Sequence, residues 1–128
     1  DATQIAYFEA LKQCEIISNL DLLEHGRKEE QRVQLQKMTN IPSDFLLSLV
    51  HKADIARLAY VRGRTVLHLC NAGYDTLAKL AAADVAEAEA RLKAYFRAHN
   101  RPATNVRTII SVASLIGGAV VLPKIVEM

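Results

Sequence analysis

Residues 53–84, ADIARLAYVRGRTVLHLCNAGYDTLAKLAAAD, decide the fold. Asp54 carries a side chain suited to an N-cap, where a carboxylate accepts the free amides of a starting helix. Tyr60 to Arg64 interrupts the helical pattern around Gly63, a residue free to take the positive φ of a tight hairpin. From Arg64 onward Val66, Leu67, Leu69 and Cys70 recur at helical spacing. Asn71-Ala72-Gly73 predicts the end of that helix, with Gly73 as the left-handed C′ residue and Tyr74 packing back. Asp75 or Thr76 caps the next short helix, which sets Leu77 and Leu80 on one face. Asp84, followed three residues later by Glu87, makes a capping-box-like start for another. The order is helix, hairpin, helix, glycine turn, helix.

That order resembles the helix-hairpin-helix fold over about Leu58 to Asp84, best in NAGYDTLAKLAAAD. The resemblance implies a hairpin whose backbone amides, with the following helix N-terminus, hold a nucleic-acid phosphate. The matching hairpin here is Ala59-Tyr60-Val61-Arg62-Gly63. Tyr60 and Arg62 stand where the family places its two glycines, and Gly63 comes one place late. Side chains at both positions would hold the backbone away from a phosphate. The longer pattern, from about Leu20 to Asn100, is similar to an uncharacterised bacterial family of tandem helix-hairpin-helix-like repeats.

Working outward, 128 residues are the size of one domain, and a 51% apolar content supports a core. Ala, Leu, Glu, Lys and Arg dominate, and no stretch alternates apolar with polar residues for long, so an all-α domain is expected. It divides into a first helical unit (1–52), a helix-hairpin-helix-like unit (53–100) and an apolar C-terminal segment (101–128). Ile5, Phe8, Leu11 and Ile16 form a helical stripe. Ser18 with Asp21 restarts the chain, and Gly26 stops it. Glu29 to Met38 is a mostly polar helix with Val33 and Leu35 inward. Ser43 caps a helix running to His51, after the turn at Thr39 to Pro42. A weak repeat relates Ala53-Asp54-Ile55-Ala56 to Ala83-Asp84-Val85-Ala86, and Asn40-Ile41 answers Gly73-Tyr74. Ala86 to His99 is a long helix with Ala90, Leu92, Tyr95 and Phe96 as its stripe.

Residues 108–123 hold no charged side chain. As a helix they would span roughly 24 Å at ~1.5 Å per residue, short of the ~30 Å of a bilayer core. The expectation is a segment buried on the core or on a second copy, so membrane contact is not expected. Cys14 and Cys70 read as free thiols in a reducing, cytoplasmic setting. The start at Asp1 reads as that of a fragment, without a visible signal peptide.

Charge is uneven. Residues 1–50 carry five Lys/Arg and eight Asp/Glu, a net of −3, and residues 51–128 carry eleven and six, a net of +5. Arg91, Lys93, Arg97, Arg101 and Arg107 follow one another with no acid between them. None of His25, His51, His68 and His99 stands at metal-ligand spacing from a Cys or carboxylate, and no phosphate loop, calcium loop or nucleophile elbow is present. The chain therefore reads as a non-enzymatic binding module without a cofactor. Its candidate nucleic-acid-binding residues are Arg57, Arg62, Gly63, Arg64, Thr65, Arg91, Arg97 and Arg101. The alternative is a protein-interaction or scaffold domain that self-associates through its apolar C-terminal segment.

Overall fold

The structure, a computed structural model, describes residues 2–58, 63–99 and 112–127, and among these it is all-α. Two compact units divide the chain: residues 1–54 with 124–128, and residues 55–123. The first contains α1 (Ala2–Gln13), α2 (Asn19–Gly26), α3 (Glu29–Thr39) and α4 (Ser43–Ile55). The second contains α5 (Gly63–Asn71), α6 (Leu77–Ala81), α7 (Val85–Ala98) and α8 (Val112–Val121). Counted over whole units, the first carries seven Lys/Arg and ten Asp/Glu, and the second nine and four.

One turn is used three times. Glu15 (φ 63°), Asn40 (φ 59°) and Gly73 (φ 107°) are the positive-φ residues among those described. Each is followed at once by a buried apolar side chain, Ile16, Ile41 or Tyr74. Two places further on stands a hydroxyl residue, Ser18, Ser43 or Thr76, at the start of the next helix. The left-handed residue reverses the chain, and the apolar residue then anchors it in the core. At Glu15 and Gly73 the closure is the Schellman pair of bonds. Ile16 N–H donates to Leu11 O at 3.0 Å and Glu15 N–H to Lys12 O at 2.9 Å; Tyr74 N–H donates to Leu69 O at 2.8 Å and Gly73 N–H to Cys70 O at 3.1 Å. Asn40 uses the single-bond form, its N–H on Gln36 O at 2.8 Å. Ser18 accepts Asp21 N–H at 3.2 Å, and Thr76 accepts Lys79 N–H at 3.0 Å, so each caps the helix it precedes.

In the first unit α3 packs against α1 and α2. Leu11, Ile16, Leu35, Ile41, Leu46 and Leu49 form one buried cluster, and Leu23, Val50, Ala53 and Val126 a second. A Cβ at Gly26 would lie 2.8 Å from Val50 Cγ2, so glycine lets α2 approach α4 here. The tail residues dock at the α2–α3 junction. Glu127 N–H donates to Arg27 O at 2.7 Å, and its carboxylate accepts Glu29 N–H at 3.2 Å.

Arg32 is buried beneath that junction. Its guanidinium donates to Gly26 O at 2.8 Å, to Arg27 O at 3.1 Å and to Glu127 O. It satisfies Gly26 O at the end of α2, one of the carbonyls a helix terminus leaves without an intrahelical partner. The expected inward residue Val33 is 44% exposed instead. The sequence favoured the aliphatic side chain, but three carbonyls draw the cation inward.

Asp54 does not start a helix. It lies in the last turn of α4 and is buried, because the stripe Leu46, Leu49, Val50, Ala53 carries the helix unbroken to Ile55. Asp84, by contrast, caps α7, accepting Glu87 N–H at 3.0 Å. The 53–56 and 83–86 segments thus match in letters and differ in conformation. Ile5 and Phe8 also turn outward on α1, at 64% and 49% exposed, while Leu11 alone of that helix is buried.

In the second unit α8 packs on α6 and α7, and α5 packs on α7. Fourteen buried residues form one cluster, to which α8 contributes Val112, Leu115, Ile116 and Ala119. The uncharged C-terminal segment is therefore a core helix of its own unit. On α7 the buried stripe is Ala88, Leu92 and Phe96, with Tyr95 half-buried and Ala90 outside. No helix among the described residues is long and apolar enough to cross a membrane.

Candidate functional site

The expected anion site centres on the start of α5. Gly63 opens that helix, with Arg64 exposed and Thr65 half-buried in its first turn. The rest of the expected hairpin, residues 59–62 with Arg62, lies outside the described residues, as does Arg101.

Contacts tie the later half of α5 to α7. His68 Nδ1 lies 3.2 Å from Tyr95 Oη, and the His68 ring meets Phe96 edge-on at 5.2 Å. Asn71 Nδ2 donates to Tyr95 Oη at 3.3 Å. Beyond the turn, Arg91 lies over the Tyr74 ring, 5.6 Å from its centroid.

The candidate cations accordingly separate. Arg64 and Arg97 are exposed and make no ion pair among the described residues. Arg91 is engaged: besides Tyr74, it pairs with Glu87 at 2.9 Å, and its Nη1 would lie 3.2 Å from a Cβ at Gly73. It lies along the glycine turn and covers Tyr74. Arg57 donates to Pro123 O at 3.0 Å. Of the described candidates, then, Arg64 and Arg97 are exposed and Thr65 is half-buried at the start of α5, while Arg57 and Arg91 have structural partners. All six had equal standing in the sequence because partners distant in the chain are invisible in it.

Among the described residues, no group of three or more His, Cys, Asp or Glu could hold a metal ion. Cys14 and Cys70 are half-buried and not joined in a disulfide. Asp21 has an acidity that departs clearly from its ordinary value. The amides of Ile17, at 3.0 Å, and Ser18, at 3.1 Å, donate to its carboxylate and hold it below the usual carboxylate range.

A second feature was missed by sequence reasoning. On the first unit an open groove of about 430 Å³ is lined from α1 by Phe8, Glu9, Leu11 and Lys12, from the turn and α2 by Ile16 to Asn19 and Leu22, and from α4 by Leu49 and Lys52. The signal was present in Ile5 and Phe8, three apart on a helix with little else apolar to bury them. Their outward direction needed the position of α3 to be known.

No curated protein and no solved structure matches the chain. A family profile does match it, over residues 3–122, nearly the whole of both units. The chain belongs to the family described as domain of unknown function DUF4332.

Proposed function

We propose that the chain is a non-enzymatic binding module whose basic unit contacts the phosphate backbone of a nucleic acid. The supporting observation is that Arg64, in the first turn of α5, and Arg97, in the last turn of α7, are both exposed and form no ion pair among the described residues, in a unit with a net charge of +5. Helix-end amides and unpaired guanidinium groups together suit phosphate oxygens and carry no preference for base sequence. The helix-hairpin-helix resemblance of residues 58–84 points the same way. The contact set is smaller than the sequence implied, because Arg57 and Arg91 are held internally.

The test is fluorescence anisotropy of a labelled DNA duplex across a salt series. Affinity should fall steeply with salt. The double variant Arg64→Gln, Arg97→Gln should reduce the log–log salt slope by about 2, near 0.9 per lost phosphate contact. Lys37→Gln, on the exposed side of α3, should leave slope and affinity unchanged. A double variant that keeps the parent's slope sinks this reading.

The alternative is self-association through the C-terminal segment. It is supported by Val120 and Val121, 63% and 78% exposed at the end of α8. Its other large side chains are inside its own unit, which leaves a small surface. Light scattering distinguishes it: a dimer abolished by Val121→Asp would favour this alternative.

A further inference from the structure

We propose that the groove on the first unit is a docking site for an amphipathic helix of a partner protein, one whose apolar face is flanked by Asp and Glu. The floor is apolar and dry: Leu11, Ile16 and Leu49 are all at or below 9% exposed. Its rim is apolar and wet: Phe8 is 49% and Ile17 76% exposed. Large apolar side chains gathered in one place, with a concavity between them, mark a binding surface rather than scattered exposure.

Shape and charge select the occupant. About 430 Å³ open to solvent along one side admits roughly three aliphatic side chains on the i, i+4, i+7 positions of a helix. Lys12 and Lys52 are exposed at the groove and form no ion pair among the described residues, with Glu9 the one carboxylate of the lining. The unit as a whole is acidic, so a basic rim is a local reversal. Two unpaired ammonium groups beside an apolar slot favour a helix with carboxylates flanking its apolar face, and disfavour one with lysines there.

Anisotropy with two fluorescein-labelled 18-residue helical peptides tests this. Both carry the same leucine face, flanked by glutamates in one and by lysines in the other. The intact chain should bind the glutamate peptide at least tenfold more tightly. Ile17→Asp, at a side chain already in solvent, should weaken that binding at least tenfold while leaving the circular dichroism spectrum and unfolding midpoint unchanged. Lys12→Glu with Lys52→Glu should reverse the peptide preference. Equal binding of both peptides, no binding of either, or indifference to Ile17→Asp overturns the proposal. So does a dimer by light scattering that Ile17→Asp dissociates, since a second copy would then occupy the groove. The variants lie on a different unit from Arg64 and Arg97, so failure of either proposal leaves the other standing.

Discussion

The two units use the same turn but finish their cores differently. The second gathers fourteen buried residues into one cluster, and α8, a helix without a single charged residue, closes it. The first divides ten buried residues between clusters of six and four, and it is closed by α1 and α3, whose outer faces are polar or mixed. Apolar residues that find no partner helix stay at the surface, and there they form a groove. A helix that is apolar nearly all round must be buried, whereas an amphipathic one covers a core from one side only. The difference in closure also follows charge. The basic unit keeps a closed interior and offers cations, and the acidic unit offers an apolar slot with two lysines.

The largest expected effect tests the difference in closure. Leu92, fully buried in the cluster of fourteen, should lose about 4 kcal/mol on Leu92→Ala, within the usual span of ~2–5 kcal/mol for such cavities. Leu46, equally buried but in the cluster of six, should lose about 2–3 kcal/mol because a thinner core collapses around the gap more easily. Chemical unfolding midpoints compare them. Equal losses would mean that cluster size does not distinguish the units.

Next comes the clasp by which Arg32 joins the α2–α3 junction of the first unit to the tail. Arg32→Met keeps the aliphatic bulk and removes the donors to Gly26, Arg27 and Glu127 carbonyls. A loss of about 2–3 kcal/mol is expected, from desolvated acceptors at ~1–3 kcal/mol each, partly rehydrated. Faster amide exchange at Glu127 should accompany it. A variant as stable as the parent, with a protected Glu127 amide, would show that the clasp contributes nothing.

Exchanging the residues at the shared turn sharpens the comparison. Gly73→Ala puts a Cβ at φ 107° and 3.2 Å from the Arg91 guanidinium, so a loss of about 1–2 kcal/mol is expected. Glu15→Gly relieves a left-handed glutamate and should gain up to about 1 kcal/mol. Thermal midpoints should move in opposite directions. Movement in the same direction would mean that the two turns are not equivalent.

The smallest effect is in pH. Asp21 is held below the usual carboxylate range by the Ile17 and Ser18 amides. Its contribution is therefore fully present above the unfolded carboxyl pKa, about 3.9, and fades as pH falls through the lower folded value. Carbon-detected NMR should give Asp21 a midpoint below about 3.9, the ordinary value for a free aspartate. A midpoint at or above it would contradict the bonds to Ile17 and Ser18.

Much of this fold could be read from the chain because its punctuation is local. Gly73, Thr76, Asp84 and the Ser18–Asp21 pair act on amides within three or four residues, so their residue types are enough to place them. The all-α class likewise follows from composition and spacing. Arg32 could not be placed in that way, since one of its acceptors lies 95 residues away. Nor could Arg57, whose acceptor is 66 residues on, or the outward turn of Ile5 and Phe8. An arginine reads as a surface cation until a distant carbonyl claims it, and an amphipathic stripe reads as core until a neighbouring helix fails to cover it. Sequence alone therefore set most of where helices start, stop and reverse, Asp54 being the exception. Tertiary packing decided which cations stay open and which apolar side chains remain outside, because those outcomes depend on partners that only folding brings near.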